Sequence, residues 1–225
     1  MELKSIVPWG RSFSEYQKMF LLSEIDLQKN ILGCGDGPAS FNAESTAIGS
    51  QVVSIDPVYQ FSGEQILSRI NEVYPQVMEQ MLQNKDAYVW DSINSVEELG
   101  KVRMKAMNAF LDDYEVGKIS GRYIFGSLPS LPFSNKEFEL ALCSHYLFLY
   151  SDHVSQEQHI SSIRELCRVA SEVRIYPVLS LDGNQSMHLK PVISALADDG
   201  IESSLEHVNY EFQKGATEMF VAKSV

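Results

Sequence analysis

Hydrophobic and polar positions change their spacing repeatedly along the chain, and these changes predict strands that alternate with helices. Short apolar runs predict strands at 31–33, 51–56, 122–126, 138–145, 173–177, 204–212 and 217–223. Lys214-Gly215 lies between the last two runs and is a hairpin signal. Strands that alternate with helices are typical of a parallel sheet. The pattern therefore predicts an α/β protein whose parallel sheet ends in an antiparallel hairpin.

The chain ahead of the first strand is predicted to be a helical segment over 1–29. Ser12 and Glu15 have the spacing of a capping box, which predicts a helix from Phe13 to about Leu22. Capping and periodicity predict two more helices near the C-terminus, over 156–170 and 189–199.

A long helical insertion is predicted over 60–121, between the second and third strands. Apolar residues recur there at steps of three and four, in two series: Ile66, Ile70, Val73, Val77 and Met81, then Val96, Leu99, Val102, Ala106 and Phe110. Pro75 falls inside the first series and is predicted to kink or split that helix. The insertion leaves the carboxyl edge of the sheet, where open α/β folds bind ligands, so it is interpreted as a lid or cap. An added structural layer or an oligomer interface is the alternative.

The stretch 30–41 reads as a strand, a glycine turn and the beginning of a helix. Gly33, Gly35 and Gly37 permit positive φ and a close approach of ligand to backbone. Pro38 suits the first position of a helix over 38–47. The turn therefore directs free N–H groups and a helix N-terminus toward whatever lies above it.

An acid follows at the distance that a nucleoside site requires. Asp56 ends the second strand about 20 residues beyond the glycine turn, where a carboxylate binds ribose hydroxyls in nucleotide folds. A nicotinamide site prefers G-x-G-x-x-G, whereas residues 33–37 read G-x-G-x-G. This pattern resembles the first motif of the class I S-adenosylmethionine (SAM)-dependent methyltransferases, and the resemblance implies a bacterial-type member of that family. The Leu-Pro-Phe at 131–133, the strand after it and the final hairpin also resemble that family.

The resemblance implies a Rossmann-like fold with a mostly parallel seven-stranded sheet, helices on both faces, and SAM as cofactor with S-adenosylhomocysteine (SAH) as product. The glycine turn is expected to contact the amino-acid half of SAM, and Asp56 its ribose. Ser127 stands where family members often carry an acid for the adenine amino group, and a serine accepts that hydrogen bond without charge. The implied cofactor-binding residues are Gly33, Cys34, Gly35, Gly37, Asp56, Pro57, Ser127, Leu128, Ser144, Arg11 and Tyr16.

His145 is the candidate catalytic residue. It follows the fourth strand, where the family places groups between cofactor and acceptor, and a histidine can remove a proton near neutral pH. Tyr146, Tyr150 and Tyr176 are the candidate acceptor-binding residues. The alternatives are that His145 only caps the strand end and that these tyrosines, like Tyr16, only pack the core.

The amino-acid composition limits the classes of molecule that the protein is expected to bind. A net charge of −12 disfavours a nucleic-acid substrate. No apolar run reaches the ~20 residues of a membrane span, and no signal peptide is evident. The three cysteines lack C-x-x-C spacing, which argues against a disulfide framework or metal site and suits the cytoplasm. At 225 residues the chain is predicted to be a single domain, and a homodimer is an open alternative to a monomer.

The sequence therefore predicts a SAM-dependent methyltransferase that acts on a small-molecule acceptor. A non-catalytic sensor of SAM or a nucleoside is the first alternative, and an NAD-dependent oxidoreductase is the second. A second cavity beside His145 would favour the enzyme over the sensor.

Overall fold

A computed structural model describes residues 7–223, so the first six residues of the predicted N-terminal segment lie outside the described part. One seven-stranded sheet forms the centre, in the order β3-β2-β1-β4-β5-β7-β6. The first five strands are parallel, and β7 runs antiparallel between β5 and β6. The strands are β1 Asn30–Cys34, β2 Gln51–Asp56, β3 Tyr123–Phe125, β4 Phe138–Ser144, β5 Ala170–Tyr176, β6 Glu202–His207 and β7 Glu218–Lys223.

Six α-helices surround this sheet in the described residues. They are α1 Phe13–Met19, α2 Phe41–Ala47, α3 Gly63–Gln83, α4 Val96–Ile119, α5 Gln156–Val169 and α6 Leu189–Asp198. One apolar core, which includes Ile163 and Val192 of α5 and α6, lies on one face of the sheet. A second core contains Tyr16 of α1 and Phe41 of α2 and lies on the other. The predicted α/β fold with helices on both faces and a C-terminal antiparallel pair is confirmed.

The predicted insertion consists of two long helices with different surroundings. α4 packs on α2 and β3, so it takes the place of an ordinary crossover helix, and α3 packs on α4. The buried face of α3 contains the whole first predicted series, from Ile66 to Met81. An aromatic cluster of Tyr59, Phe110, Tyr114 and Tyr123 fills the space between this layer and the sheet edge.

Two predicted boundaries are wrong for local reasons, and of the two alternatives predicted at Pro75, a kink or a split, the split does not occur. α2 begins at Phe41 and not at Pro38, because residues 37–40 belong to the turn and Ser40 is the N-cap. α3 is not split at Pro75, whose ring lies on the exposed face where water can satisfy the carbonyl that loses its partner. The final strands are not joined by a short turn, because ten residues at 208–217 form a loop over the carboxyl edge of the sheet.

The carboxyl ends of the five parallel strands lie side by side at one edge of the sheet, which is called the carboxyl edge. In sheet order these ends are Phe125, Asp56, Cys34, Ser144 and Tyr176. Since neighbouring strands lie about 4.8 Å apart, the five ends span roughly 19 Å. Within residues 7–223, none of the helices has the length and apolarity needed to cross a lipid bilayer.

Candidate active site

A cavity of about 660 Å³ runs along this carboxyl edge. Its floor is formed by the ends of β1 to β5, and its walls come from the N-terminal segment, α3 and the loop over 208–217. The cavity is lined by every site residue predicted from sequence except Gly33: Arg11, Tyr16, Cys34, Gly35, Gly37, Asp56, Pro57, Ser127, Leu128, Ser144, His145, Tyr146, Tyr150 and Tyr176. The predicted residues therefore meet at one place.

The glycine turn uses its three glycines for different purposes. Gly35 and Gly37 have positive φ, at 72° and 54°, which a residue with a side chain rarely adopts. Gly33 lies behind the turn, where a Cβ would be 1.8 Å from Asp36 Oδ2. Gly33 was expected to line the cofactor site, but it does not line the cavity. Its lack of a side chain instead leaves room for the Asp36 carboxyl group.

Asp36 is a buried acid that sequence reasoning missed. Its carboxyl group accepts hydrogen bonds from the Tyr16 hydroxyl at 2.8 Å and the Ser54 hydroxyl at 2.7 Å. Burial raises its pKa to about 6, although both bonds oppose the shift. Asp36 therefore ties α1 and β2 to the underside of the turn. The alternating glycines in the sequence do not indicate that the side chain of Asp36, which lies between two of them, is buried beneath the turn.

Asp56 holds the turn from the side of β2. Its carboxylate accepts the Gly37 N–H at 2.9 Å and the Val58 N–H at 2.7 Å. The Tyr59 hydroxyl donates to the Gly37 carbonyl oxygen at 2.8 Å. Burial raises the pKa of Asp56, although the two backbone bonds oppose this. Because a carboxylate has about four acceptor positions, Asp56 keeps capacity for the hydroxyl groups of a ligand.

Arg11 carries a charge that forms no ion pair with any residue of 7–223, although the Glu15 carboxylate nearby favours its charged form. Its Nη1 donates to the Trp9 carbonyl oxygen at 2.9 Å, and within residues 7–223 it has no ion pair and its Nε has no hydrogen-bond partner. Burial, and then the nearby Arg103, lower the pKa of Arg11. Its backbone carbonyl accepts the Ser40 N–H at 3.0 Å, so the residue lies directly beside the glycine turn. A cavity wall with an unpaired guanidinium is suited to binding an anion.

The neighbouring Glu15 carboxylate forms its hydrogen bonds with residues other than Arg11. Glu15 accepts two hydrogen bonds from Arg103, at 2.5 and 2.7 Å, and one from the Tyr210 hydroxyl at 2.7 Å. Burial alone would raise the pKa of Glu15, but Arg103 lowers it below its ordinary range. This cluster connects α1, α4 and the loop over 208–217.

His145 lies over the end of β4 with an unusual backbone. Its φ is 53°, and its N–H donates to the Tyr176 carbonyl oxygen at 2.7 Å. Its Nδ1 is 2.9 Å from the Ser144 hydroxyl, whereas Nε2 has no hydrogen bond to any residue of 7–223. Burial, followed by the charges of Arg11 and Arg103, holds the pKa of His145 well below 6.5. The imidazole is therefore neutral at physiological pH, and Nε2 is its proton-accepting nitrogen in the tautomer whose Nδ1–H donates to the Ser144 hydroxyl.

The far end of the cavity is aromatic. Besides Tyr150 and Tyr176, it includes Tyr88, Tyr210 and Phe212, which sequence reasoning did not identify. Phe212 falls within a strand predicted from the sequence, and Tyr88 lies between the two apolar series of the predicted insertion. No local pattern marks either residue as part of a site. Among residues 7–223, no group of three His, Cys, Asp or Glu side chains is arranged to hold a metal ion.

The strand order, with a glycine turn at the β1 end and an acid at the β2 end, defines the class I methyltransferase fold. A protein of Methanocaldococcus jannaschii, the uncharacterized protein MJ0045, is 31% identical over 225 residues and is matched over 99% of this chain and 98% of its own length. The chain belongs to the family of this archaeal protein. No family model matches the chain.

Solved structures with a similar fold include proteins of distant sequence. The PH0226 protein of Pyrococcus horikoshii has a TM-score of 0.50 and 12% identity, with 94% of this chain and 90% of that chain covered. The magnesium protoporphyrin IX methyltransferase of Synechocystis with bound SAM has a TM-score of 0.48 and 14% identity, with 92% and 75% covered. At these identities the likeness concerns the fold alone.

Proposed function

We propose that the protein is a SAM-dependent methyltransferase that transfers a methyl group to a small-molecule acceptor. Proteins with one fold can have many different activities, so the support for this activity comes from the residues of the site.

The observation that carries the proposal is the placement of Asp56 and Arg11 in one cavity. Asp56 offers a carboxylate for ribose hydroxyls, and Arg11 offers a guanidinium that has no ion pair among residues 7–223 for a carboxylate. The two flank the glycine turn, since Asp56 binds the Gly37 N–H and the Arg11 backbone binds Ser40. A ligand with a ribose at one end and an amino-acid carboxylate at the other satisfies both, and SAM is such a ligand.

The beginning of α2 argues against a dinucleotide. A pyrophosphate binds at the free N–H groups of the helix that follows the first strand. Here the Ser40 N–H is already bonded to the Arg11 carbonyl oxygen, and Gly10 is so close to Pro38 that a Cβ on it would lie 2.0 Å from the Pro38 oxygen. The N-terminal segment thus covers the place that a pyrophosphate needs.

The chain's own residues support an enzyme over a sensor. When bound, SAM supplies an electrophilic methyl group on a sulfonium. The cavity continues past His145 to Tyr150 and Tyr176, which leaves room for a second molecule. Neutral His145 accepts at Nε2 the proton that a hydroxyl acceptor loses. Ser144 holds the imidazole through Nδ1.

Ser127 and Leu128, at the β3 end, are proposed to border the adenine, and Pro57 the ribose. Residues of α3, including Ile66, Val77 and Met81, line the cavity and support the role of this helix as a cap. The net charge of −12 supports a small acceptor over a nucleic acid. Cys34, Cys143 and Cys167 are not joined in disulfides within the described residues, and this agrees with a cytoplasmic setting.

The test is calorimetric titration of the purified protein with SAM, SAH and NADH, repeated on Asp56→Ala. We expect micromolar binding of SAM and SAH and none of NADH. The substitution removes charge-assisted hydrogen bonds of about 1.5–3 kcal/mol, so SAH affinity should fall about 10- to 150-fold. Asp112→Ala, an exposed acid on α4, is the matched control and should bind SAH normally. NADH binding tighter than SAH binding would refute the proposal.

A further inference from the structure

We propose that the end of the cavity over β4, β5 and β7 is an acceptor chamber for an uncharged, planar aromatic molecule. The chamber is defined by Tyr88, Tyr150, Tyr176, Leu181, Tyr210 and Phe212. The proposal rests on the proposed function, because it assumes that the cofactor occupies the end over β1 to β3.

The sheet order separates the two ends of the cavity. Asp56 ends β2 and Gly126 follows the end of β3, whereas Tyr176 ends β5, three strands from Asp56. Three strand spacings correspond to roughly 14 Å. His145 lies between the two ends, with its ring 5.5 Å from that of Tyr176. A nucleoside held by Asp56 therefore leaves the chamber free, and His145 stands at the boundary.

The walls of the chamber carry no charge at physiological pH. Burial raises the pKa of Tyr88, Tyr150, Tyr176 and Tyr210 above that of free tyrosine, so all four phenols stay protonated. The pKa of His145 is lowered, so its ring is neutral as well. Phe212 and Leu181 complete an apolar lining.

Arg103 and Glu15 also lie at the chamber, since the Arg103 guanidinium is 5.9 Å from the centroid of the Phe212 ring and Glu15 accepts from the Tyr210 hydroxyl, but these two charges are paired with each other. Arg11, by contrast, has no ion-pair partner among residues 7–223. Once the cofactor's carboxylate pairs with Arg11, a charged acceptor would have to leave water without a partner, which is costly. The chamber therefore selects against charge in the acceptor.

Ring packing in the chamber favours a flat ligand. The rings of Tyr88 and Phe212 are 5.0 Å apart and tilted by 33°, and those of Tyr176 and Tyr210 are 5.8 Å apart at 73°. Such tilted and edge-on arrangements present both ring faces and ring edges to an aromatic guest. The Tyr176 hydroxyl is held by the Ala216 carbonyl oxygen at 2.7 Å, which fixes that wall.

The experiment uses three probes of one shape and different charge: naphthol, naphthoate and naphthylmethylammonium. Each is titrated by calorimetry into the full-length protein saturated with SAH. We expect naphthol to bind at least about tenfold more tightly than either charged probe, because only the charged probes lose hydration without a partner. Equal binding of all three, tighter binding of naphthoate, or no binding of naphthol would overturn the proposal.

A matched pair of variants tests the location. Leu181→Asp introduces a carboxylate into the chamber, and Met187→Asp introduces one on the same loop at a side chain that is 71% exposed. We expect Leu181→Asp to weaken naphthol binding at least about tenfold and to keep SAH affinity, and Met187→Asp to change neither. Unchanged naphthol binding in Leu181→Asp would overturn the location, and so would equal losses in both variants.

The SAH titration separates the two proposals. If SAH binds and naphthol does not, the acceptor chamber is refuted and the proposed function stands. If SAH does not bind the unmodified protein, the proposed function fails and takes the acceptor proposal with it.

Discussion

Two arginines lie in adjacent layers of this protein, Arg103 buried and Arg11 half-buried, and they differ in what surrounds them. Arg103 on α4 is fully buried and forms two hydrogen bonds with the Glu15 carboxylate. Arg11 reaches the same neighbourhood from the N-terminal segment, yet among residues 7–223 its guanidinium bonds only to a backbone carbonyl. Arg103 has an anionic partner within the chain, whereas Arg11 has no ion pair among residues 7–223; the Nε atoms of both arginines lack a hydrogen-bond partner there.

The comparison distinguishes a structural charge from a binding charge. A buried ion is costly unless it is paired, so a folded chain keeps an unpaired one where a ligand balances it. The pKa of each arginine follows this difference: Glu15 raises that of Arg103 despite burial, whereas burial and Arg103 lower that of Arg11. The same reasoning extends to Asp36, a buried acid that has hydroxyl partners and no cation.

The largest effect is expected from Arg103→Met. The substitution leaves Glu15 buried without its cation, so the free energy of unfolding should fall by about 3–5 kcal/mol. Urea unfolding followed by circular dichroism measures the change. Lys101→Met removes an exposed cation from the same helix and should leave the unfolding midpoint unchanged. A loss of unfolding free energy as small as that of the control would mean that Glu15 pairs with Arg11 instead. That result would contradict the distinction between the two arginines.

A pH-dependent effect is expected from Asp36. Its pKa is raised from 3.8 to about 6, so the folded state binds more protons than the unfolded state between these values, and stability falls as pH rises through that window. At about 1.4 kcal/mol per pH unit, the ionised carboxyl costs up to about 3 kcal/mol above pH 6. Asp36→Asn should therefore become more stable relative to the unmodified protein as pH rises from 4 to 7.

Denaturant unfolding of both proteins at several pH values measures this difference. Asp112→Asn, the same change at an exposed position, is the control and should follow the unmodified protein throughout. If the Asp36→Asn curve runs parallel to that of the unmodified protein, the Asp36 carboxyl group has an ordinary pKa.

The parts of the site that sequence predicted are the ones encoded locally. The glycine turn and Asp56 are read from spacing within one βαβ unit, and strand alternation places their ends at one edge. The strand-end position of His145 follows in the same way. These predictions need only the period of a strand and the parallel direction of neighbouring strands.

The missed parts depend on contacts between distant segments. Arg103 and Glu15 are 88 positions apart, and Tyr210 reaches Glu15 across 195. The loop over 208–217 carries Phe212 over the cavity, although its apolar residues have the spacing of a strand. Such residues are indistinguishable from core residues until the fold brings them to the cavity.

The smallest effect, and the sharpest for the comparison, is expected from Arg11→Met. Because the removed cation has no ion-pair partner in the described part of the chain, the free energy of unfolding should stay the same or rise, in contrast to Arg103→Met. The loss should appear in ligand binding: removal of a charge-assisted contact of about 1.5–3 kcal/mol weakens SAH binding about 10- to 150-fold.

Calorimetry with SAH measures the ligand affinity, and urea unfolding of the ligand-free protein measures the free energy of unfolding. Both measurements use the same preparation. Arg69→Met is the matched control, because Arg69 also lines the cavity but pairs with Glu72 on an exposed face of α3, so its loss should change neither quantity strongly. A variant of Arg11 that loses stability and keeps SAH affinity would place its partner inside the chain. In that case the unpaired guanidinium would be a structural charge like Arg103, and the anion of the ligand would have to be held by the backbone N–H groups of the glycine turn.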